Sequence, residues 1–234
     1  MTKNNPKLKK PTSFQDFFDT LVDDLKEVSY RNPTKYFFGW LAFSLSVVVI
    51  YAIAFLAGDS NLDNLITNSG FVVGISMMMV CSFSFGWAAV HQGIPAMEVQ
   101  LQWVGLIAAI AWIGQIIIGA FGEIEAYNAN QLRIYFDFHS IFSIAFIGLI
   151  PLMGLAVVIQ RMASIKPYST SLYACISSYC MSAFVFRIFY TRVFEGGESN
   201  LHLLIWILLP TLIATFLSWV ILTPLFQLKT KSLL

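Results

Sequence analysis

The residues in this chain that could do chemistry are few and scattered. There are three histidines, His91, His139 and His202. Imidazoles and carboxylates are the usual ligands of a divalent cation. His139 and His202, with Asp137, Glu123 or Glu198, would form a metal site only if distant helix ends met, and their spacing carries no ligand signature. No metal and no cofactor is therefore expected. Arg187 with Glu195 and Glu198 makes a second set, since a long cationic side chain near a helix end reaches toward the interface and pairs there. Arg187, His139, His202, Glu195 and Glu198 are the candidate sensing residues. The cysteines, Cys81, Cys175 and Cys180, have no C-x-x-C spacing, and a free cysteine within an apolar segment behaves as a small buried hydrophobe. No nucleophile-elbow, H-E-x-x-H, phosphate-loop or paired-carboxylate pattern appears. The chain is not expected to be an enzyme.

The elements that hold these residues are long and apolar. Hydrophobic residues make up 57% of the chain and charged residues 12%, about half the charged share of a soluble domain; the mean hydropathy is +0.71. Five apolar runs are long enough to cross a bilayer, and a sixth joins them if Arg187 is admitted: 37–57, 69–90, 101–121, 139–160, 168–190 and 202–226. A hydrocarbon core of about 30 Å takes about 20 residues at helical rise. Without water, the backbone must bond within each segment, and continuous apolar runs exclude the alternating strands of a barrel. The expected fold is all-α: six transmembrane helices over 37–226, preceded by a cytoplasmic tail, 1–36, and followed by another, 227–234. No signal-peptide pattern precedes the first span.

Charge sets the expected orientation. Residues 1–36 carry Lys3, Lys7, Lys9, Lys10, Lys26, Arg31 and Lys35; with Arg161, Lys166, Lys229 and Lys231 they put eleven of the fourteen bases on one side. The other side has Arg133, Arg187 and Arg192 against Asp59, Asp63, Glu123, Glu125, Asp137, Glu195 and Glu198. Basic loops stay cytoplasmic, so both termini are expected inside, as an even number of spans requires. No Asp, Glu, Lys or His falls near a span centre. That argues against a proton-coupled transporter or ion pump, which needs such relays.

Residues 12–30 read as an amphipathic helix. Ser13-x-x-Asp16 resembles a capping box, and Phe14, Phe17, Phe18, Leu21, Val22, Leu25 and Val28 repeat at helical spacing. The opposite face holds Asp16, Asp19, Asp23, Asp24 and Glu27. Membrane-surface helices usually have basic polar faces. An acidic one suits a protein groove that is apolar inside and basic at its rim. Folding back on the protein's own cytoplasmic loops and pairing in a dimer are the other destinations.

Within the spans, Gly70-x-x-x-Gly74, Ser82, Gly86, Gly105, Ala108, Ala109 and Gly114 are small residues of the kind that pack helices in lipid. Ser171, Ala174, Ser178 and Ser182 repeat at helical spacing in the fifth span; they read as packing, with a polar solute path as the alternative. Pro151 and Pro210 interrupt two spans and are candidate hinges.

This layout resembles the negative regulators of sigma factor F (NrsF), bacterial membrane proteins of similar length with six spans. The resemblance runs from about Phe14 to Phe226. It rests on FQDFFDTLVDDLKEV, Pro33 and the early Trp40, the SNLDNLI loop, and WAAVHQGIP at the end of the second span. It rests also on GLIPLMG in the fourth span, a turn with Arg161 and Pro167, and GGESNLHLLIW with Trp206. Family members typically carry a cysteine in each of two places that here read FDFHS and FYTRVFE. Any sensing done through those cysteines is done here by other groups or not at all.

The resemblance implies an anti-sigma factor in the bacterial inner membrane. It would bind an extracytoplasmic-function sigma factor, touch no nucleic acid directly, and release its partner on an envelope or stress signal. The partner-binding residues expected on this basis are Phe14, Asp16, Phe17, Phe18, Leu21, Asp23, Asp24 and Leu25. Other functions compatible with the spans are a small permease and a structural subunit of a membrane complex. Self-association is left open.

Overall fold

The computed structural model describes residues 32–56, 69–92, 100–128, 138–160, 166–190 and 199–231. The chain divides into two units, Met1–Asn32 and Pro33–Leu234. Apart from Asn32, the first unit lies outside the described residues, and with it the expected amphipathic helix.

Every regular element among the described residues is helical. The helices are α1 (Pro33–Leu56), α2 (Ser69–Gln92), α3 (Leu101–Asn128), α4 (Phe138–Gln160), α5 (Pro167–Tyr190) and α6. The last is built of three pieces: Asn200–Leu203, a π-helical turn Leu204–Leu208, and Leu209–Lys231. The helices α2 to α6 are long and apolar enough to cross a membrane, and α1 has 24 residues. The apolar runs set these rods, and proline sharpens two of their starts: Pro33 and Pro167 each open a helix, where the missing N–H is no loss.

Two helices form the centre. Of the apolar window of α5, 78% is buried, and of α2 50%, against 28% for α3 and for α6. Contacts along the α2–α5 seam run in opposite chain directions, so the pair is antiparallel: Gln92 meets Ser169, Ser82 meets Ser177, Cys81 meets Cys180, and Gly74 meets Arg187. Midway, two serines clasp each other's backbone. Ser82 Oγ donates to the Ser177 carbonyl at 2.8 Å, and Ser177 Oγ donates to the Ser82 carbonyl at 2.7 Å. Such bonds satisfy hydroxyls that lipid could not.

The remaining helices pack around this pair. Gly105 of α3 sits against Ser84 and Phe85 of α2. Gly148 of α4 receives the ring of Tyr179, whose hydroxyl reaches Ser218 of α6 at 2.7 Å. Ser182 donates to the Ile144 carbonyl at 2.7 Å, and Ser171 bonds Thr223 at 2.9 Å. Ser171 and Ser182 thus serve as packing groups, as the sequence suggested, while Ser178 Oγ is buried without a hydrogen-bond partner. Trp40 of α1 lies in the core, its Nε1 donating to the Pro151 carbonyl of α4 at 2.9 Å.

The prolines act differently from one another. The helix α4 runs unbroken through Pro151. Pro210 lies two residues past the π turn, and the Leu209 N–H bonds the Leu204 carbonyl, five residues back. Proline has no N–H and its ring crowds the carbonyl four residues before it; widening the preceding turn accommodates it. A third proline, Pro224, lies inside α6 because that helix continues to Lys231.

Candidate functional site

The polar residues that this bundle brings together form two clusters, one at each end, joined by the α2–α5 seam.

At one end, α3 extends past residue 121, the expected limit of its span, to Asn128. Glu123 is therefore a helical residue and not part of a loop. Its carboxylate holds the start of α6. Oε1 accepts from the Asn200 backbone N–H at 2.9 Å and from Asn200 Nδ2 at 2.8 Å; Oε2 accepts from Ser199 Oγ at 2.6 Å and the Leu201 N–H at 3.0 Å. Ser199 is itself the N-cap, its oxygen also accepting from the His202 N–H at 3.4 Å. The first N–H groups of a helix have no partner within it, and that end carries partial positive charge. A carboxylate, purely an acceptor, meets both needs from a neighbouring rod. One turn earlier on α3, the missing side chain of Gly119 leaves the space that the Asn200 side chain fills.

Removing this clip should be measurable. Glu123→Ala is expected to cost about 2–3 kcal/mol, because it deletes charge-assisted bonds and strands backbone donors. Glu123→Gln, which keeps one acceptor oxygen, should lose about half of that. Denaturation of the purified protein in detergent would rank the two, and equal stability of all three forms would show that the clip contributes nothing.

Arg187 occupies the same end. The sequence suggests a side chain reaching outward to the interface, where it could pair with Glu195 or Glu198; the side chain is 4% exposed, and both glutamates lie outside the described residues. Its guanidinium lies 5.2 Å from the centre of the Phe71 ring and rests on Gly74. Gly74 makes this possible because any side chain there would collide with the guanidinium. The ring face attracts the cation, an interaction that strengthens when desolvated. The other glycine of that motif, Gly70, accepts from Gln115 Nε2 at 3.1 Å. Gly70-x-x-x-Gly74 thus accommodates polar side chains from two neighbouring helices. Gln115 Oε1 and, one turn away, Trp112 Nε1 are buried without a hydrogen-bond partner.

At the other end, Gln102 of α3 accepts at Oε1 from Tyr173 Oη at 2.8 Å and from Gln92 Nε2 at 3.2 Å. Ser169 Oγ donates to Gln92 Oε1 at 2.9 Å. Four side chains thus tie α2, α3 and α5. Trp219 Nε1 of α6 donates to the Tyr168 carbonyl at 3.1 Å. His91 is buried, stacked on Trp87 at 3.9 Å, with Nδ1 2.9 Å from the Trp87 carbonyl. It serves packing.

Of the other candidate residues, His202 is buried at the start of α6. His139 belongs to α4, and its side chain lies outside the described residues. So do Glu195 and Glu198, and all eight expected partner-binding residues: Phe14, Asp16, Phe17, Phe18, Leu21, Asp23, Asp24 and Leu25. Among the described residues no group of His, Cys, Asp and Glu is arranged to hold a metal ion. Glu123, one of the suggested ligands, is engaged with the α6 start.

Two features escaped the sequence reading. One is the Glu123 clip, for which only the Ser199 N-cap left a trace in the sequence. The other is the approach of Cys81 to Cys180, their sulfurs 3.4 Å apart, which no spacing rule predicts for residues on different spans. What these clusters do chemically is position helices: the bonded donors and acceptors face one another or the backbone of a neighbouring helix.

Residues 21–227 match the family model described as NrsF, negative regulator of sigma F. That range includes Leu21, Asp23, Asp24 and Leu25 and begins after Phe18. No curated protein matches the chain, and no solved structure does.

Proposed function

This chain belongs to the family of negative regulators of sigma F, and from that premise we propose that it is an anti-sigma factor that holds an extracytoplasmic-function sigma factor at the inner membrane. The family match over residues 21–227 carries the proposal. The rest of the mechanism is built from the residues.

All six helices span the bilayer, with both termini in the cytoplasm, as the lysine and arginine asymmetry favours. The leading segment, Ser13–Tyr30, forms an amphipathic helix. Phe14, Phe17, Phe18, Leu21 and Leu25 enter an apolar groove on the sigma factor, while Asp16, Asp23 and Asp24 meet its basic surface. A sigma factor uses such surface to contact DNA phosphates, and an acidic rim competes for it. Occupied in this way, the sigma factor is kept from polymerase and promoters.

Release needs a signal that distinguishes two states of the bundle. The end bearing Glu123, Arg187 and His202 faces the envelope in this topology and would receive it, with His139, Glu195 and Glu198 nearby in sequence. Pro151 and Pro210 are the proposed hinges. The π turn before Pro210 supports the second, because its hydrogen-bond ladder is already shifted by one residue.

The permease alternative is less well supported. Its best feature was the serine stripe of α5, and Ser171, Ser178 and Ser182 are fully buried, Ser171 and Ser182 bonded to neighbouring helices.

The test is co-purification. The full chain, tagged at its C-terminus, is co-expressed with each extracytoplasmic-function sigma factor of its source organism and extracted in mild detergent. One sigma factor is expected to elute with it in near-equal amount. Elution of none would refute the proposal.

A further inference from the structure

We propose that Cys81 and Cys180 form an oxidisable pair that closes to a disulfide between α2 and α5. The two are 99 residues apart in the chain, yet their sulfurs meet at 3.4 Å on the central seam, between the Ser82–Ser177 clasp and the Gly74–Arg187 contact. A disulfide sulfur pair sits at about 2.05 Å, with Cβ atoms about 3.8 Å apart. Closing the pair therefore asks for about 1.4 Å of sulfur movement, the scale of a side-chain torsion adjustment. Both residues are reduced and buried, and Phe85 and Ala108 complete their apolar surround. Cys175, the third cysteine, lies in the other apolar cluster.

The oxidant fitting this location is a small neutral peroxide, which can enter the bilayer. Cys180 is the more accessible, 5% exposed against 0% for Cys81. Its sulfur attacks one oxygen of hydrogen peroxide, breaking the O–O bond, and the thiol proton leaves with the departing oxygen as water. The product is a sulfenic acid. The Cys81 sulfur then attacks that sulfenic sulfur, and its proton leaves with the hydroxyl as a second water. Two thiols lose two electrons in total and one peroxide is reduced to two waters.

Burial acts on both directions of this reaction. The thiolate is the nucleophile, and an apolar seam offers it no stabilising charge, so closure is slow. Reduction requires a thiolate to reach the same sulfurs, and hydrophilic reductants such as glutathione are excluded. Once closed, the bond would persist and fix α2 to α5 covalently. The proposal does not depend on the sigma-factor reading.

The test uses the full chain in native membranes, as wild type and as Cys175→Ser, which retains only the proposed pair. Membranes are treated with excess hydrogen peroxide, denatured, and labelled with a maleimide. Labels per Cys175→Ser chain are expected to fall from two to none on a monomeric band, and to return to two after dithiothreitol. Wild type should fall from three labels to one. The proposal is overturned if Cys175→Ser keeps both labels, if the loss resists dithiothreitol, or if the cross-link appears only in a dimer band. If Cys175→Ser fails to accumulate, the wild-type count decides in the same way.

Discussion

A strain whose copy of this protein carries Phe17→Ala, Leu21→Ala and Asp24→Ala together should transcribe its sigma-dependent promoters as if the protein were absent. In the proposed amphipathic helix the three positions would lie within about two turns, two on its apolar stripe and one on its acidic face. Apolar anchors in a groove dominate the energy of helix-in-groove complexes, and each strong one contributes about 2 kcal/mol or more. Such effects are not additive. Even so, losing two anchors and one carboxylate should weaken binding about 100-fold or more, since about 1.4 kcal/mol is tenfold. Asp24→Ala alone should act mainly on association rate and its salt dependence. A promoter reporter and the yield of co-purified sigma factor both read the effect. Wild-type repression by the triple variant would remove the helix from the mechanism and leave the family assignment standing.

The second large effect is expected at Trp40. This indole is 2% exposed, lies near Gly86 of α2 and Gly154 of α4, and donates to the Pro151 carbonyl. Replacing a buried tryptophan by alanine removes its contacts and leaves a cavity, a loss of about 3–5 kcal/mol in soluble cores. In a bilayer the transfer part shrinks, because lipid is itself apolar, but the cavity and the lost hydrogen bond remain. Trp40→Ala should therefore destabilise by about 3 kcal/mol. Trp40→Phe retains most of the ring, and should cost about 1 kcal/mol, the worth of one hydrogen bond. Unfolding in mixed micelles measures both. If the two variants are equally stable, Trp40 is not the pin between α1 and α4.

Long apolar runs separated by short polar connections were legible from the start, and the helices follow them closely. Boundaries moved where polar residues continued a rod: α3 carries on through Glu123 to Asn128, and the last helix runs through Pro224 to Lys231. The first extension has a partner elsewhere: Glu123 stays helical while binding the start of α6. Among the candidate sensing residues, Arg187 is buried over Phe71, where the sequence suggested a side chain reaching the interface; its pairing with Glu195 or Glu198 falls on residues outside those described. The sequence reading treated Gly70 and Gly74 as helix–helix contacts and the arginine as an interfacial group. The missing side chain of Gly74 leaves the room that the inward guanidinium occupies.

What the chain determines by itself is its relation to the membrane. The cost of placing a residue in hydrocarbon is local and nearly additive over about 20 positions, so a single sequence suffices for the rods, and their charged flanks favour a direction. The family could also be recognised without coordinates, because order and composition carry it. Which side chains meet is a different kind of fact. Rods apolar on every face give no sequence signal for how each is rotated about its axis. Only packing fixes that rotation, and with it the Glu123 clip, the buried Arg187 and the facing sulfurs of Cys81 and Cys180.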